Sequence, residues 1–159
     1  MTFFFAFLCI FSGIFAVDFL VKYLLIQVFD GQAFYLFDGW LGLDLHYNKF
    51  IAFSIPIAFW PLMLINILLI GFLFYLLFIY WRKSLNLSKK IVVAMLLCGA
   101  LINFIDRVLY SYVIDYITIW RFPVFNLADV LIVGGAMSWL YLEYKEQSPR
   151  SSTDRTVSS

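Results

Sequence analysis

The sequence predicts an all-α integral membrane protein: four transmembrane helices with a small extracytoplasmic β-sheet element at the membrane interface. Three observations predict it. Apolar residues make up 64% of the 159-residue chain and charged residues only 13%, with a mean hydropathy of +0.94. A soluble domain carries about 25% charged residues, so one small core cannot hide this much apolar surface. Four segments, some with a polar interruption, each supply the roughly 20 residues that a hydrocarbon core about 30 Å thick requires of a helix. Between the first two lies a stretch of alternating large residues and turn signals, which reads as strand.

The first predicted helix covers about residues 3–26 and is interrupted by Asp18 and Lys22. It has no basic leader region, and its apolar run exceeds the roughly 7–15 residues of a cleavable signal, so it is expected to remain in place. The second covers about 60–81, between Trp60 and Trp81, with Pro61 in its first turn where a missing N–H does no harm. At ~1.5 Å per residue those tryptophans stand about 32 Å apart, one anchor for each interface. The third covers about 91–110, with Asn103, Asp106 and Arg107 in its second half, and the fourth about 127–144, opened by Asp129. Within 28–58, Asp30-Gly31 and Asp38-Gly39 are turn signals, and Leu41, Leu43, Leu45 and Tyr47 alternate as in a half-buried strand. Residues 1–144 are thus expected to form one transmembrane domain. The polar, Ser-rich residues 145–159 are expected to be a disordered cytoplasmic tail.

Lys and Arg near the helix ends set the orientation. RKSLNLSKK at 82–90 holds four cations and no acid, and the tail holds Lys145, Arg150 and Arg155. Both read as cytoplasmic, which puts the N-terminus on the same side and 28–58 and 111–126 on the other. A net charge of +1 gives a nucleic-acid partner no electrostatic support. Cys9 and Cys98 lie in apolar runs without a second Cys or His at ligand spacing, so no disulfide or zinc site is indicated and buried thiols are expected. Membrane lipids are the expected surroundings, and a monomer the expected state.

The chemistry lies in where the charges fall. Charged residues within membrane segments are costly and face a protein interior or a wet cavity. With this topology Asp18 and Lys22, then Asn103, Asp106 and Arg107, then Asp115, then Asp129 all lie at one level near the outer surface. Asp18 and Lys22, spaced i, i+4, can pair on one helix face. Asp106 is expected to brace Arg107 or another cation. Asp115 and Asp129 have no cation of their own nearby in sequence. Two neighbouring carboxyls in a low-dielectric site share a proton, and one then serves as base toward water and the other as acid toward a carbonyl. That is the chemistry of peptide-bond hydrolysis by an aspartic dyad. His46, the one histidine, falls in the surface strand, and no Ser–Lys or Cys–His arrangement competes.

Several separated motifs then match one family. DFLVK at 18–22 resembles Asp-x-x-x-Lys, and NKFIAFS at 48–54 resembles Asn-x-Gly-x-Ala-Phe-Ser. GALINFIDR at 99–107 resembles Gly-(Gly)-Ala-x-Gly-Asn-x-x-Asp-Arg, and VIDY at 113–116 resembles Val-Val-Asp-Phe. FPVFNLAD at 122–129 resembles Phe-Pro-x-Phe-Asn-x-Ala-Asp. In order and spacing, over about residues 14–140, the chain resembles the bacterial lipoprotein signal peptidases (signal peptidase II), four-helix membrane aspartic proteases. The resemblance implies that Asp115 and Asp129 are the catalytic pair. It implies that Asp18, Lys22, Asn48, Asn103, Asp106, Arg107, Asn126 and Ala128 line or brace the site. It further implies a prolipoprotein substrate cut just before its diacylglyceryl-modified cysteine, no metal or cofactor, a substrate cradle at 28–58, and a place in the bacterial inner membrane. Which aspartate holds the shared proton stays open.

The departures from the pattern are Phe50, Ile102 and Ser111 where glycine is usual, and Phe19 where glutamine is usual. Glycine permits close backbone approach or φ > 0, so these changes bear on groove shape and turns. They keep open an inactive or repurposed homologue that only binds lipopeptides. A small proton-coupled transporter is a further alternative, but it would spread its acids through the depth of the membrane.

Overall fold

The structure, a computed structural model, describes residues 2–28, 32–49, 58–82 and 86–147. Four long helices accompany a three-stranded antiparallel sheet: α1 (Thr2–Tyr23), β1 (Phe34–Leu36), β2 (Leu41–Asn48), α2 (Phe59–Arg82), α3 (Leu87–Tyr110), β3 (Val113–Ile119) and α4 (Leu127–Gln147). α1 continues through a π-helical turn, Leu24–Val28. Among the described residues three segments are long and apolar enough to cross a membrane: Phe5–Gln27, Phe59–Arg82 and Leu87–Tyr110. α4 is 21 residues long, but Asp129 stands in its first turn and Glu143, Lys145 and Glu146 stand toward its end, which lowers its hydropathy.

α3 is the hub. Within its most apolar stretch 56% of residues are buried, against 17% in α1 and 11% in α2, so α3 is the helix the others surround. Phe7 of α1, Leu73 of α2 and Val93, Leu97, Cys98 and Ala100 of α3 make the core cluster. The outer face of α2, with Leu64, Leu68, Phe72 and Phe78, is exposed. On a membrane-spanning helix that face needs no protein cover, because lipid tails are as apolar as leucine. The same reasoning corrects the expectation for Cys9, which is exposed, whereas Cys98 is buried.

The tightest crossing joins α3 to α4. A Cβ placed on Gly99 would stand 2.5 Å from the Ala128 carbonyl oxygen and 2.7 Å from the Ile132 side chain. Small residues let two helix backbones approach where no hydrophobic effect drives them together. The crossing brings Asn103, one turn beyond Gly99, beside the start of α4.

α3 begins at Leu87 rather than near 91, because the Asn86 side chain accepts the Ser88 N–H at 3.1 Å and caps it. Lys89 and Lys90 therefore belong to the helix and not to a loop, and Lys89 pairs with Glu146 at 2.8 Å and Glu143 at 3.3 Å on α4. At the far end, Ser111 caps α3 with φ +67°, and its N–H donates to the Arg107 carbonyl at 2.9 Å. This is one of the positions where the family pattern has glycine, and it is a left-handed one. A non-glycine residue there costs about 1–2 kcal/mol. Ser111→Gly is therefore expected to stabilise the protein by about 1 kcal/mol, read as a higher melting midpoint in detergent. An unchanged or lower midpoint would refute that account.

β1 and β2 pair with Phe34 opposite Leu43 and Leu36 opposite Leu41. A 3-10 turn, Phe37–Gly39, closes them, with Gly39 at φ +87° where the Asp38-Gly39 signal predicts a turn. The alternation in 41–47 marks a strand, yet its large residues are not the buried set. Gly42 is the buried residue, lying under the Tyr35 ring, while Leu41 and Tyr47 are exposed. An irregularity between Leu43 and His46 shifts the register, and β2 then meets β3 with His46 opposite Asp115 and Asn48 opposite Val113.

β3 stands where the sequence suggests an outer loop. Its run of β-branched and aromatic residues, VIDYITI, is a strand signal in its own right. The Asp30-Gly31 signal, Phe50 and most of NKFIAFS lie outside the described residues. So does 148–159 of the expected tail, while 145–147 continue α4.

Candidate active site

The site starts from the mouth of α4. The Asn126 side-chain oxygen accepts the Asp129 N–H at 2.9 Å, and the Asp129 carboxylate accepts the Asn126 N–H at 3.2 Å. This reciprocal pair is a capping box, and it holds Asp129 in the first helical turn, where the helix dipole favours negative charge. From α3, the Asn103 amide donates to Asp129 at 2.8 Å. Asn126 reaches the other acid: its amide donates to Asp115 Oδ1 at 2.8 Å and also to the Asn103 side-chain oxygen at 3.0 Å. At the end of β2, Asn48 donates to Asp115 Oδ2 at 3.0 Å. One fully buried asparagine thus touches both acids, and each carboxylate has an amide donor at each of its oxygens.

Asp115 is 1% exposed on β3. Burial pushes its carboxyl up to about 7, and the charge of Asp129 adds to the rise, while the amides of Asn48 and Asn126 oppose it. The Arg107 guanidinium donates to the Asn103 carbonyl at 3.3 Å and is attracted by Asp129, Asp115 and Asp106.

Asp18, Lys22 and Asp106 form a second buried cluster. Lys22 Nζ stands 2.5 Å from Asp18 Oδ2, as the i, i+4 spacing suggests, and 2.6 Å from Asp106 Oδ2 across 84 residues of sequence. The cation that Asp106 braces is therefore Lys22. Asp106 Oδ2 also accepts the Ile114 N–H at 3.1 Å, and Asp18 Oδ1 accepts the Tyr116 hydroxyl at 2.9 Å. Ala128 is wholly buried, with its carbonyl against Gly99. The residues expected from the sequence thus divide. Asn48, Asn103, Asn126 and Arg107 gather at the two acids, Asp18, Lys22 and Asp106 stand together behind β3, and Ala128 belongs to the helix crossing.

Two features escape the sequence reading. One is the capping box, although N-x-x-D before an apolar run is its signature. The other is Tyr116, next to Asp115 in VIDY and 3% exposed, which only the strand assignment of 113–119 brings into view.

The chain has counterparts in sequence and in fold. The family model described as signal peptidase (SPase) II matches residues 10–144. A lipoprotein signal peptidase of Caldicellulosiruptor bescii is 36% identical over 135 residues, covering 83% of this chain and 86% of that protein. Another, from Listeria monocytogenes, is 34% identical over 137 residues, covering 82% of this chain and 88% of that protein. A bacterial membrane enzyme solved by the in meso method at 2.3 Å superposes with a TM-score of 0.80 at 26% identity, over 92% of each chain. Agreement in sequence and in fold over most of the length leaves one conclusion: the chain belongs to the signal peptidase II family of membrane aspartic peptidases.

Proposed function

We propose that this protein removes signal peptides from diacylglyceryl-modified prolipoproteins, cutting before the lipidated cysteine, with Asp115 and Asp129 as its catalytic pair. The observation that carries the reading is Asn126, one buried residue that meets both carboxylates: its side-chain amide donates to Asp115 and its backbone N–H to Asp129, while its side-chain oxygen accepts the Asp129 backbone N–H. Asp115 holds the shared proton and Asp129 the charge. Asp129 takes a proton from a water whose oxygen attacks the scissile carbonyl carbon, while Asp115 gives its proton to the carbonyl oxygen. The C–N bond of the resulting diol then breaks. Asp129 returns its proton to the departing nitrogen, and Asp115 recovers one from a diol hydroxyl. Asn48, Asn103 and Asn126 hold the two carboxyls in register, and Arg107 offsets their charge.

The assignment of the proton to Asp115 has a pH signature. Activity needs protonated Asp115, so kcat/KM is expected to fall as pH rises through about 7. The same shift acts on stability. The unfolded chain releases this proton near a pH of about 3.9, so the contribution is full below that value and is lost as pH rises toward about 7. Initial rates across pH, with enzyme stability followed in parallel, read both. A rate still climbing well above neutrality would show that Asp115 is not the acid.

All four helices span the inner membrane in this reading, with both termini cytoplasmic and the dyad near the extracytoplasmic face. At ~1.5 Å per residue the 21 residues of α4 extend about 31 Å, enough for a bilayer core. The Lys and Arg bias supports the orientation. Residues 1–144 act as one domain, and the enzyme works as a monomer among lipids. Exposed Tyr35, Phe37, Trp40 and Trp120 form an aromatic rim on the sheet, with the two tryptophan rings stacked at 5.1 Å. Such rings suit the headgroup level and give the sheet a surface for a lipidated peptide. The acids gather around one strand and one helix end, which argues against proton transport through the bundle.

The test is a gel-shift assay with a prolipoprotein in detergent or lipid. The diacylglyceryl-modified precursor should shorten by its signal peptide, and the unmodified precursor should remain uncut. Folded protein that binds the lipopeptide without cutting it would sink the peptidase reading in favour of a repurposed homologue.

A further inference from the structure

We propose that Tyr116 is a positioning residue for Asp115, its hydroxyl hooking β3 to the buried Asp18–Lys22–Asp106 cluster of α1 and α3. The inference rests on reading Asp115 as catalytic. Successive side chains of a strand emerge on opposite faces. Asp115 meets Asn48 and Asn126 on one face, and Ile114 and Tyr116 point to the other. Two anchors flank Asp115, one residue to either side: the Ile114 backbone N–H donates to Asp106 at 3.1 Å, and on the far side the Tyr116 hydroxyl donates to Asp18 at 2.9 Å. Lys22 ties the two acceptors together, being 2.5 Å from Asp18 and 2.6 Å from Asp106. Asp18, Lys22, Asp106 and Tyr116 are all at most 6% exposed.

β3 needs such anchors. Among the described residues it is an edge strand, paired with β2 on one side. On the other side its backbone meets Phe125 at Tyr116 and Ile117. Packing does not fill the space behind it either. A cavity of about 280 Å³ lies between α1, α3 and the sheet, lined by Phe15, Phe19, Ile105, Tyr112 and Ile114, with Asp18, Lys22 and Asp106 in its wall. A strand beside open volume can shift into it, and Asp115 would move with the strand. VIDY resembles a motif that ends in Phe, so a phenylalanine ring fits this position and the hydroxyl is what Tyr116 adds to it. Burial, and then the charge of Asp18, push that hydroxyl well above the ordinary tyrosine range, so it stays a donor throughout the working pH range.

Tyr116→Phe removes one oxygen and keeps the ring, so the strand should still fold. The measurement is kcat and KM for a diacylglyceryl-modified prolipoprotein, per folded enzyme, on wild type, Tyr116→Phe, Asp18→Ala, the double variant, and Asp115→Asn as control. A misplaced acid lowers kcat, so Tyr116→Phe is expected to lose about tenfold or more in kcat, with KM changed less than about twofold. The double variant should be no worse than Asp18→Ala, because a hydroxyl without its acceptor positions nothing. A kcat for folded Tyr116→Phe within about twofold of wild type, or additive losses in the double variant, would overturn the hook. Cleavage persisting in Asp115→Asn would overturn it differently, by removing the catalytic role of Asp115 itself.

Discussion

Asp115→Asn and Asp129→Asn should each lower the cleavage rate by about 10³-fold or more, with the fold intact. Asparagine keeps the size of the side chain but neither carries the charge of a base nor donates an acid proton. At position 115 the change removes the acid, and at 129 it removes the base. Both positions have a second sensitivity. The oxygens of Asp129 accept from Asn103 and the Asn126 N–H, and those of Asp115 from Asn48 and Asn126. An amide at either position points an N–H₂ at one donor, so each variant should also show a somewhat lower melting midpoint than wild type. The double variant should be little slower than either single one, because the two acids act as a unit. Rates on the modified precursor, with circular dichroism to confirm folding, decide it. Either single variant retaining about a tenth of wild-type activity would show that the pair is wrongly assigned.

Lys22→Met should cost more stability than any of the other single substitutions, about 3–5 kcal/mol. A buried ion pair is not in itself a large source of stability, since desolvation offsets much of the attraction. Removing one partner is another matter, because it strands the opposite charge. Lys22 is 4% exposed and serves two carboxylates, Asp18 and Asp106. Methionine in its place leaves both acids facing one another in an apolar setting. Lys22→Met combined with Asp106→Asn removes one of the stranded charges and should recover part of the loss. Thermal melts in detergent on the two variants test this. A Lys22→Met protein within about 1 kcal/mol of wild type would place the cluster in the class of exposed ion pairs. A double variant less stable than the single would refute the stranded-charge account.

The site is legible in the sequence in unequal parts. The Asp18–Lys22 pair follows from an i, i+4 spacing, and Asp115 and Asp129 stand out as acids beside apolar helices without local cations. The partner of Asp106 does not follow, because Arg107 is its neighbour in sequence while Lys22 is 84 residues away. β3 is hidden for a different reason. Residues 111–126 join the third and fourth long helices, which suggests a loop, although VIDYITI carries the β-branched run of a strand. The Leu41–Tyr47 alternation finds a strand but names the wrong buried residues. A buried Gly42 under Tyr35 and a register irregularity defeat a count by twos. The missing glycines also differ in their surroundings. Ser111 occupies a left-handed cap where glycine is better suited, whereas Ile102 is 1% exposed inside α3.

The sequence by itself determined that this protein belongs in a membrane and roughly where its long helices run. These are properties of local composition and of spacing along one helix, and the bilayer acts on each segment separately. Only the tertiary structure decided which groups meet. Asn126 joins Asp115 to Asp129 because α4 starts beside β3 and close against α3, where Gly99 admits the Ala128 carbonyl. Tyr116 meets Asp18 across 98 residues because β3 lies against α1. Contacts of that span depend on helix crossing and strand register, and both are set by packing between elements that no stretch of sequence contains.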